Sequence, residues 1–474
     1  MKVLYAASEA LPFMASGGLG DVAGSLPKSL RKRLIGCRVV MPLYDGIKQE
    51  FKDKMKFITH ITVPVAWRRQ YCGIFEARAG GVIYYFLDNQ YYFKRDDIYG
   101  HYDDAERFAF FSRAVLEIIP YLDFKPDIIH CNDWQTALTP VYYSTMYANR
   151  KGFENIKTIL TIHNIQYQGI YGYEILDNVL GIDPQHAPLL ENDGDINLVK
   201  GAIECANLVT TVSPTYANEI LDPWFSHGLD TILNERSFKL QGILNGIDVE
   251  IYNPETDKEI FENFSADNPK GKAKNKAALQ ELFGVDVNKD IPLMGIVSRL
   301  VSHKGLDLIT EVLDELMSTS DIQLVVLGSG EWRYENFFEE IAKRYPGRIG
   351  LRLGFVPDLA RKIYAGSDMF LMPSKSEPCG LSQMLALRYG SIPIVRETGG
   401  LKDSITDSGD GKGNGFTFKT YDSQDMLCAI RRALKGFEDT DGWSNLVERA
   451  LKCDNSWGKS ANKYIRMYKQ LIKN

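Results

Sequence analysis

Arg299 and Lys304 stand five residues apart in Val297-Ser298-Arg299-Leu300-Val301-Ser302-His303-Lys304-Gly305, directly after an apolar run at 293–297. A second segment, Pro373-Ser374-Lys375-Ser376-Glu377-Pro378-Cys379-Gly380-Leu381, follows the apolar run 369–372 and leads into a helical pattern. Fixed cations at the carboxyl end of a strand suit the negative charge of a departing diphosphate. A carboxylate and a glycine at a helix start suit a sugar and its phosphates. Pro378 fixes the turn, and Gly380 opens the backbone beside the helix. A charged loop is normally solvated surface, but the apolar runs flanking both segments argue against that reading here.

Four further turns carry polar or glycine residues at strand ends. Ser16-Gly17-Gly18-Leu19-Gly20-Asp21 opens a helix expected to run to about residue 30, so its backbone can approach a phosphate. It is not the dinucleotide fingerprint, whose first two glycines are one residue apart. In His130-Cys131-Asn132-Asp133-Trp134, His130 is expected to be a satisfied core histidine. Asp133 could cap a helix expected over 136–147, or face a ligand. His163, in Thr161-Ile162-His163-Asn164, ends another apolar run and is expected at the site. Gly328-Ser329-Gly330 and Thr398-Gly399-Gly400 offer backbone to a nucleotide and its phosphates. The aromatics Tyr91-Tyr92-Phe93 and Tyr99-Gly100-His101-Tyr102 could form a sugar platform or simply pack a loop.

Short apolar runs alternating with amphipathic ones indicate an α/β fold of parallel sheets wrapped by helices. In the first half the strands are expected at 2–7, 37–41, 82–86, 127–130, 158–162 and 208–212, with an antiparallel meander at 58–65 and 73–79. The second half repeats the style at 293–297, 323–327, 349–353, 369–372, 392–395 and 415–418. Every chemically loaded segment then follows a strand. A hinge is expected near 242–250, in Gln241-Gly242-Ile243-Leu244-Asn245-Gly246, followed by a polar stretch at 263–276. The expected domains are 1–241, 242–456 and a last helix within 457–474. Two Rossmann-like domains facing across a cleft would put ligands at the carboxyl ends of both sheets.

Composition narrows the class. Length alone favours two domains. A net charge of −6 supplies no electrostatic reason for nucleic acid or an anionic membrane as partner. Seven cysteines with no paired spacing indicate reduced thiols and no zinc site. No apolar run reaches membrane-spanning length and no signal-peptide pattern is present, so a cytoplasmic protein is expected.

The His163 segment, the glycine turn with Ser8-Glu9-Ala10-Leu11-Pro12-Phe13 before it, and above all the Arg299/Lys304 and Glu377 segments resemble the bacterial glycogen synthases and plant starch synthases. The likeness runs from residue 2 to the Trp457 segment. It departs at Ala15 and Ser16, where the family usually carries lysine and threonine. The resemblance implies the GT-B fold, a last helix that returns to the first domain, and a retaining transfer of glucose from ADP-glucose to the non-reducing end of an α-1,4-glucan. It implies Glu377, Arg299, Lys304, Asp133 and His163 as catalytic residues. Substrate contacts would come from Ser16, Gly17, Gly18, Asp21, Asn245, Gly328, Gly330, Phe355 (against adenine), Cys379, Gly380, Leu381, Thr398, Gly399 and Gly400. No metal or cofactor is implied, since fixed cations can take the place of a magnesium ion. The same fold would serve a UDP-glucose-dependent transferase, an epimerase or a phosphorylase. A non-catalytic glucan-binding protein would keep the aromatics and lose the cations and the acid.

Overall fold

A parallel strand must be covered on both faces, which is why its sequence is apolar throughout instead of alternating. The computed structural model, which describes residues 1–354 and 356–473, follows that rule in two compact units: residues 1–245 with the last helix, Trp457–Lys473, and Gly246–Ser456.

The first unit holds a nine-stranded sheet. Its strands are β1 (Lys2–Ala6), β2 (Gly36–Pro42), β3 (Lys56–Val65), β4 (Arg68–Ala79), β5 (Val82–Asp88), β6 (Ile128–Asn132) and β7 (Lys157–Ile162), then β11 (Leu208–Thr211) and β12 (Leu240–Gly242). Between them β8 (Ile170–Tyr171), β9 (Glu191–Asn192) and β10 (Asp195–Asn197) make a separate small antiparallel sheet, which the sequence pattern did not reveal. The large sheet has the order β12-β11-β7-β6-β1-β2-β5-β4-β3. It is parallel from β12 to β5, while β4 and β3 run antiparallel at one edge. Strand β6 is buried along its whole length, whereas the edge strand β3 is half exposed.

The second unit holds a six-stranded, wholly parallel sheet: β13 (Leu293–Val297), β14 (Gln323–Gly328), β15 (Ile349–Leu353), β16 (Met369–Met372), β17 (Ile392–Arg396) and β18 (Phe416–Phe418). The order β15-β14-β13-β16-β17-β18 reverses direction between β13 and β16. In the first unit the reversal lies between β1 and β6. Loops leaving the two strands at such a point diverge and open a crevice at their carboxyl ends. The Arg299/Lys304 turn leaves β13 and the Glu377 turn leaves β16; the glycine turn leaves β1 and Asp133 leaves β6.

One local expectation differs from the structure. The helix expected over 136–147 is broken into a 3-10 turn (Trp134–Thr136), an α-turn (Leu138–Tyr142) and a π-turn (Tyr143–Tyr147), with Asp133 before it at φ 56° and ψ −176°. The polar stretch at 263–276 contains the start of a helix, Lys270–Phe283, whose polar side chains go inward. Lys272 Nζ donates to the carbonyls of Ala365, Ser367 and Tyr389 at 3.1, 3.0 and 3.0 Å, and Lys276 pairs with Asp368 at 2.7 Å. Burial holds the Lys272 ammonium down, to about 7.

The last helix buries Trp457, Ala461, Tyr464, Met467 and Tyr468 in the core of the first unit. Tyr468 Oη lies 2.7 Å from Nδ1 of the fully buried His130, whose Nε2 meets Thr161 Oγ1 at 2.6 Å. His130 is the core histidine that the sequence suggested. Tyr468→Ala should therefore lower stability by about 3–5 kcal/mol through the cavity it leaves. Tyr468→Phe should cost about 1 kcal/mol, the worth of the lost hydrogen bond. Urea denaturation of the three proteins checks the order.

Candidate active site

In the first unit the site is assembled around two carboxylates. Glu9, just past β1, is 2% exposed and gathers the glycine turn. Its Oε2 accepts from the backbone N–H and the hydroxyl of Ser16 at 2.6 and 2.7 Å, and its Oε1 accepts from Gly20 N–H at 3.1 Å. Burial raises the Glu9 carboxyl, and the bonds from Ser16, Gly20 and Gly17 pull it back. Ala15, Ser16, Gly17 and Gly18 remain exposed, at the start of the helix Gly18–Lys32. Asp21 sits half-buried in the first turn of that helix.

Asp133 does not cap the turn that follows it. Its Oδ1 accepts from the backbone N–H of His163 at 2.7 Å, so the β6 and β7 exits are tied together. Burial pushes its carboxyl up to about 7, against the N–H groups of His163 and Asn164. The His163 ring lies with Nε2 2.9 Å from Asn132 Oδ1, and burial holds it down, to about 3, so it is neutral near pH 7. Of the residues that sequence suggested in this half, Ser16 and Gly17 gather on Glu9, Gly18 opens the helix beside them, and Asp133 joins His163. Asn245 lies at the end of the unit, 5% exposed, with its Oδ1 unpaired among the described residues.

In the second unit the two marked segments meet. Lys304 Nζ is 2.7 Å from Glu377 Oε2, and Ser374 Oγ donates to the same oxygen at 3.0 Å. Glu377 is 7% exposed, whereas Arg299 is exposed. Between the two cations, burial and then the charges of Lys304 and Arg299 hold His303 down, to about 4, so that turn carries two positive charges and not three near pH 7. Lys375 N–H donates to His303 carbonyl oxygen at 2.9 Å, and Arg396 Nη1 donates to Lys375 carbonyl oxygen at 2.7 Å. These bonds clamp the Glu377 turn between its neighbours.

Two glycines are obligatory for that clamp. Gly305 has φ 74°, and a Cβ there would stand 2.0 Å from the Pro373 carbonyl oxygen. Gly399 has φ 42°, and a Cβ there would stand 2.0 Å from the Glu377 carbonyl oxygen. Gly400 N–H donates to that same oxygen at 3.1 Å, next to buried Thr398. Cys379 is buried, and Gly380 and Leu381 lead into the helix Ser382–Arg388. Gly328 ends β14, and Gly330 forms a single bridge with Leu300. Phe355 lies outside the described residues.

Glu9, Asn132, Ser374 and Arg396 were missed in the sequence. Glu9 had a signal, an acid soon after a buried strand, and Ser374 stood within the Glu377 segment; Asn132 and Arg396 are ordinary polar residues whose partners are remote in the chain.

Comparison with known proteins gives the same assignment along the whole length. Residues 2–235 match the starch synthase catalytic domain, and residues 280–447 match the glycosyl transferases group 1. The chain is 51% identical over 477 residues to a glycogen synthase of Geobacillus thermodenitrificans, covering 100% of this chain and 98% of that one. It is 50% identical to a glycogen synthase of Geobacillus stearothermophilus with the same coverage. The chain belongs to the glycogen synthase and starch synthase family. The catalytic domain of starch synthase IV from Arabidopsis thaliana, bound to ADP and acarbose, superposes with a TM-score of 0.92 at 37% identity, covering 100% of this chain and 99% of that one. Sucrose-phosphate synthase from Thermosynechococcus elongatus, at 15% identity and a TM-score of 0.63, shares the fold alone, over 100% of this chain and 99% of its own. The fold is GT-B, and the protein is a glycosyltransferase. No helix among the described residues is long and apolar enough to cross a membrane.

The elevated carboxyl of Asp133 has a signed consequence. Between its unfolded range near 4 and its folded value near 7, the folded protein holds the extra proton, so this group's contribution falls as pH rises through that window. Asp133→Asn removes the titration. The variant should gain stability over the wild type on going from pH 5 to pH 8, by on the order of 1–4 kcal/mol. Thermal denaturation of both proteins at the two pH values reads the difference.

Proposed function

We propose that this protein transfers glucose from ADP-glucose to the non-reducing end of an α-1,4-glucan with retention of configuration, as a glycogen synthase. The observation that carries the proposal is the Lys304–Glu377 pair, held where the second sheet reverses. Departure of the diphosphate leaves positive charge on the sugar ring and negative charge on the leaving oxygen. Lys304 and Arg299 take up the negative charge, helped by the helix N-termini at Gly18 and at Gly399–Gly400. Glu377 accepts hydrogen bonds from glucose hydroxyls. Its own charge is balanced by Lys304, so it does not repel the diphosphate.

Asp133 and His163 orient the glucose. A neutral His163 adds no cation beside the positive anomeric carbon, which a protonated ring would oppose. No carboxylate is assigned as a covalent nucleophile, so the acceptor hydroxyl attacks on the face from which the diphosphate leaves. Ser16, Gly17, Asp21, Asn245, Gly328, Gly330, Phe355, Cys379, Gly380, Leu381 and Thr398 complete the contacts to donor and sugar. The family, and ADP in the Arabidopsis relative, favour the adenine nucleotide.

The purified protein should elongate glycogen and release ADP when given ADP-glucose, and should incorporate far less glucose from UDP-glucose. Absence of incorporation from either donor would refute the assignment. Lys304→Ala and Arg299→Ala should each slow turnover by about a hundredfold, the usual effect of deleting one preorganised stabiliser of transition-state charge. Glycogen binding, measured by affinity electrophoresis, should be retained in both.

A further inference from the structure

The hydrogen bonds around Asn132 decide which nitrogen of His163 carries the proton. Asn132 Nδ2 sits 2.9 Å from the carbonyl oxygen of Ala6 and 3.4 Å from that of His130. Both are acceptors only, so the side-chain atom facing them is the NH2 group. The amide oxygen must then face the other way. There it accepts the Tyr5 hydroxyl at 2.9 Å and meets His163 Nε2 at 2.9 Å. An amide oxygen cannot donate, so Nε2 must be the protonated nitrogen. Nδ1 has no hydrogen-bond partner among the described residues and keeps its lone pair. Asn132 is itself fully buried, between β1 and β7, and its orientation is fixed by backbone that cannot rotate away.

We infer that Asn132 is a positioning residue, which locks His163 in the Nε2–H tautomer and presents Nδ1 as a hydrogen-bond acceptor for a hydroxyl group of the transferred sugar. This rests on the reading of His163 as a sugar-side residue. It adds a direction to that contact: the sugar hydroxyl donates and the imidazole accepts. With the opposite tautomer, a ring N–H would face the sugar and compete for its oxygen lone pairs. The lock also excludes His163 as a proton donor through Nε2, because that hydrogen is already committed to Asn132.

Nitrogen-15 labelling of the seven histidines, with His163→Gln to assign the signal, reads the tautomer directly in the wild-type protein. The expected spectrum shows Nε2 protonated and Nδ1 bare at pH 7.5. An Nδ1–H tautomer or an even mixture overturns the inference without any variant. Asn132→Leu, which removes the acceptor, should give mixed tautomers and lower kcat on the order of tenfold to a hundredfold, with donor KM changed far less. Tyr5→Phe leaves the amide anchored on Ala6 and should change neither tautomer nor rate. Loss of activity in Asn132→Leu with the tautomer intact, or a mixed tautomer at wild-type rate, refutes the positioning role. His163→Ala turning over at the wild-type rate would instead refute the sugar-side reading of His163, while the spectrum would still report the tautomer.

Discussion

A parallel sheet built outward from its middle reverses strand order at one place, and loops on either side of that place must part. In the second unit the place is between β13 and β16, and the loops that part there carry Lys304 and Glu377. Their 2.7 Å pairing is a consequence of adjacency at the reversal, since the two residues are 73 apart in the chain. The glycines at 305 and 399 exist to let neighbouring turns crowd against the same strand exit. In the first unit the reversal between β1 and β6 does the corresponding work, setting the Glu9-bound glycine turn beside Asp133.

Charge is arranged differently in the two halves. The second unit presents cations with one compensated acid, and keeps His303 neutral so that the turn is not overloaded. The first unit buries its carboxylates, and burial raises both Glu9 and Asp133. Raised carboxyls are a recurring mark of functional sites, where groups are held away from their ordinary ionisation by burial. Backbone N–H groups offset that burial here: three from the glycine turn on Glu9 and two from the β7 exit on Asp133.

The places where sequence pattern failed have two causes, partners supplied by the fold and elements too short to show a period. The stretch at 263–276 is polar, and polar segments are normally solvated, yet Lys272, Asn275 and Lys276 turn inward because carbonyls and Asp368 await them. The Asp133 turn looked like a helix start, yet its carboxylate was taken by His163 N–H from the next strand. The three two- and three-residue strands β8 to β10 are too short for periodicity to register.

Local sequence determined the strands, because burial on both faces demands unbroken apolar runs, and it determined which turns were chemically loaded, because each follows such a run. The motifs around Arg299, Lys304 and Glu377 sufficed for the family. Only the tertiary structure decided the partners: Lys304 with Glu377, Glu9 with Ser16 and Gly20, Asn132 with Tyr5 and Ala6 at separations of 127 and 126 residues, and His130 with Tyr468 at 338. Protonation followed from those partners, since desolvation and hydrogen bonding act through space. Which carboxyl is raised, which histidine stays neutral and which ring nitrogen holds the hydrogen are therefore properties of the folded neighbourhood, and no local pattern in the chain encodes them.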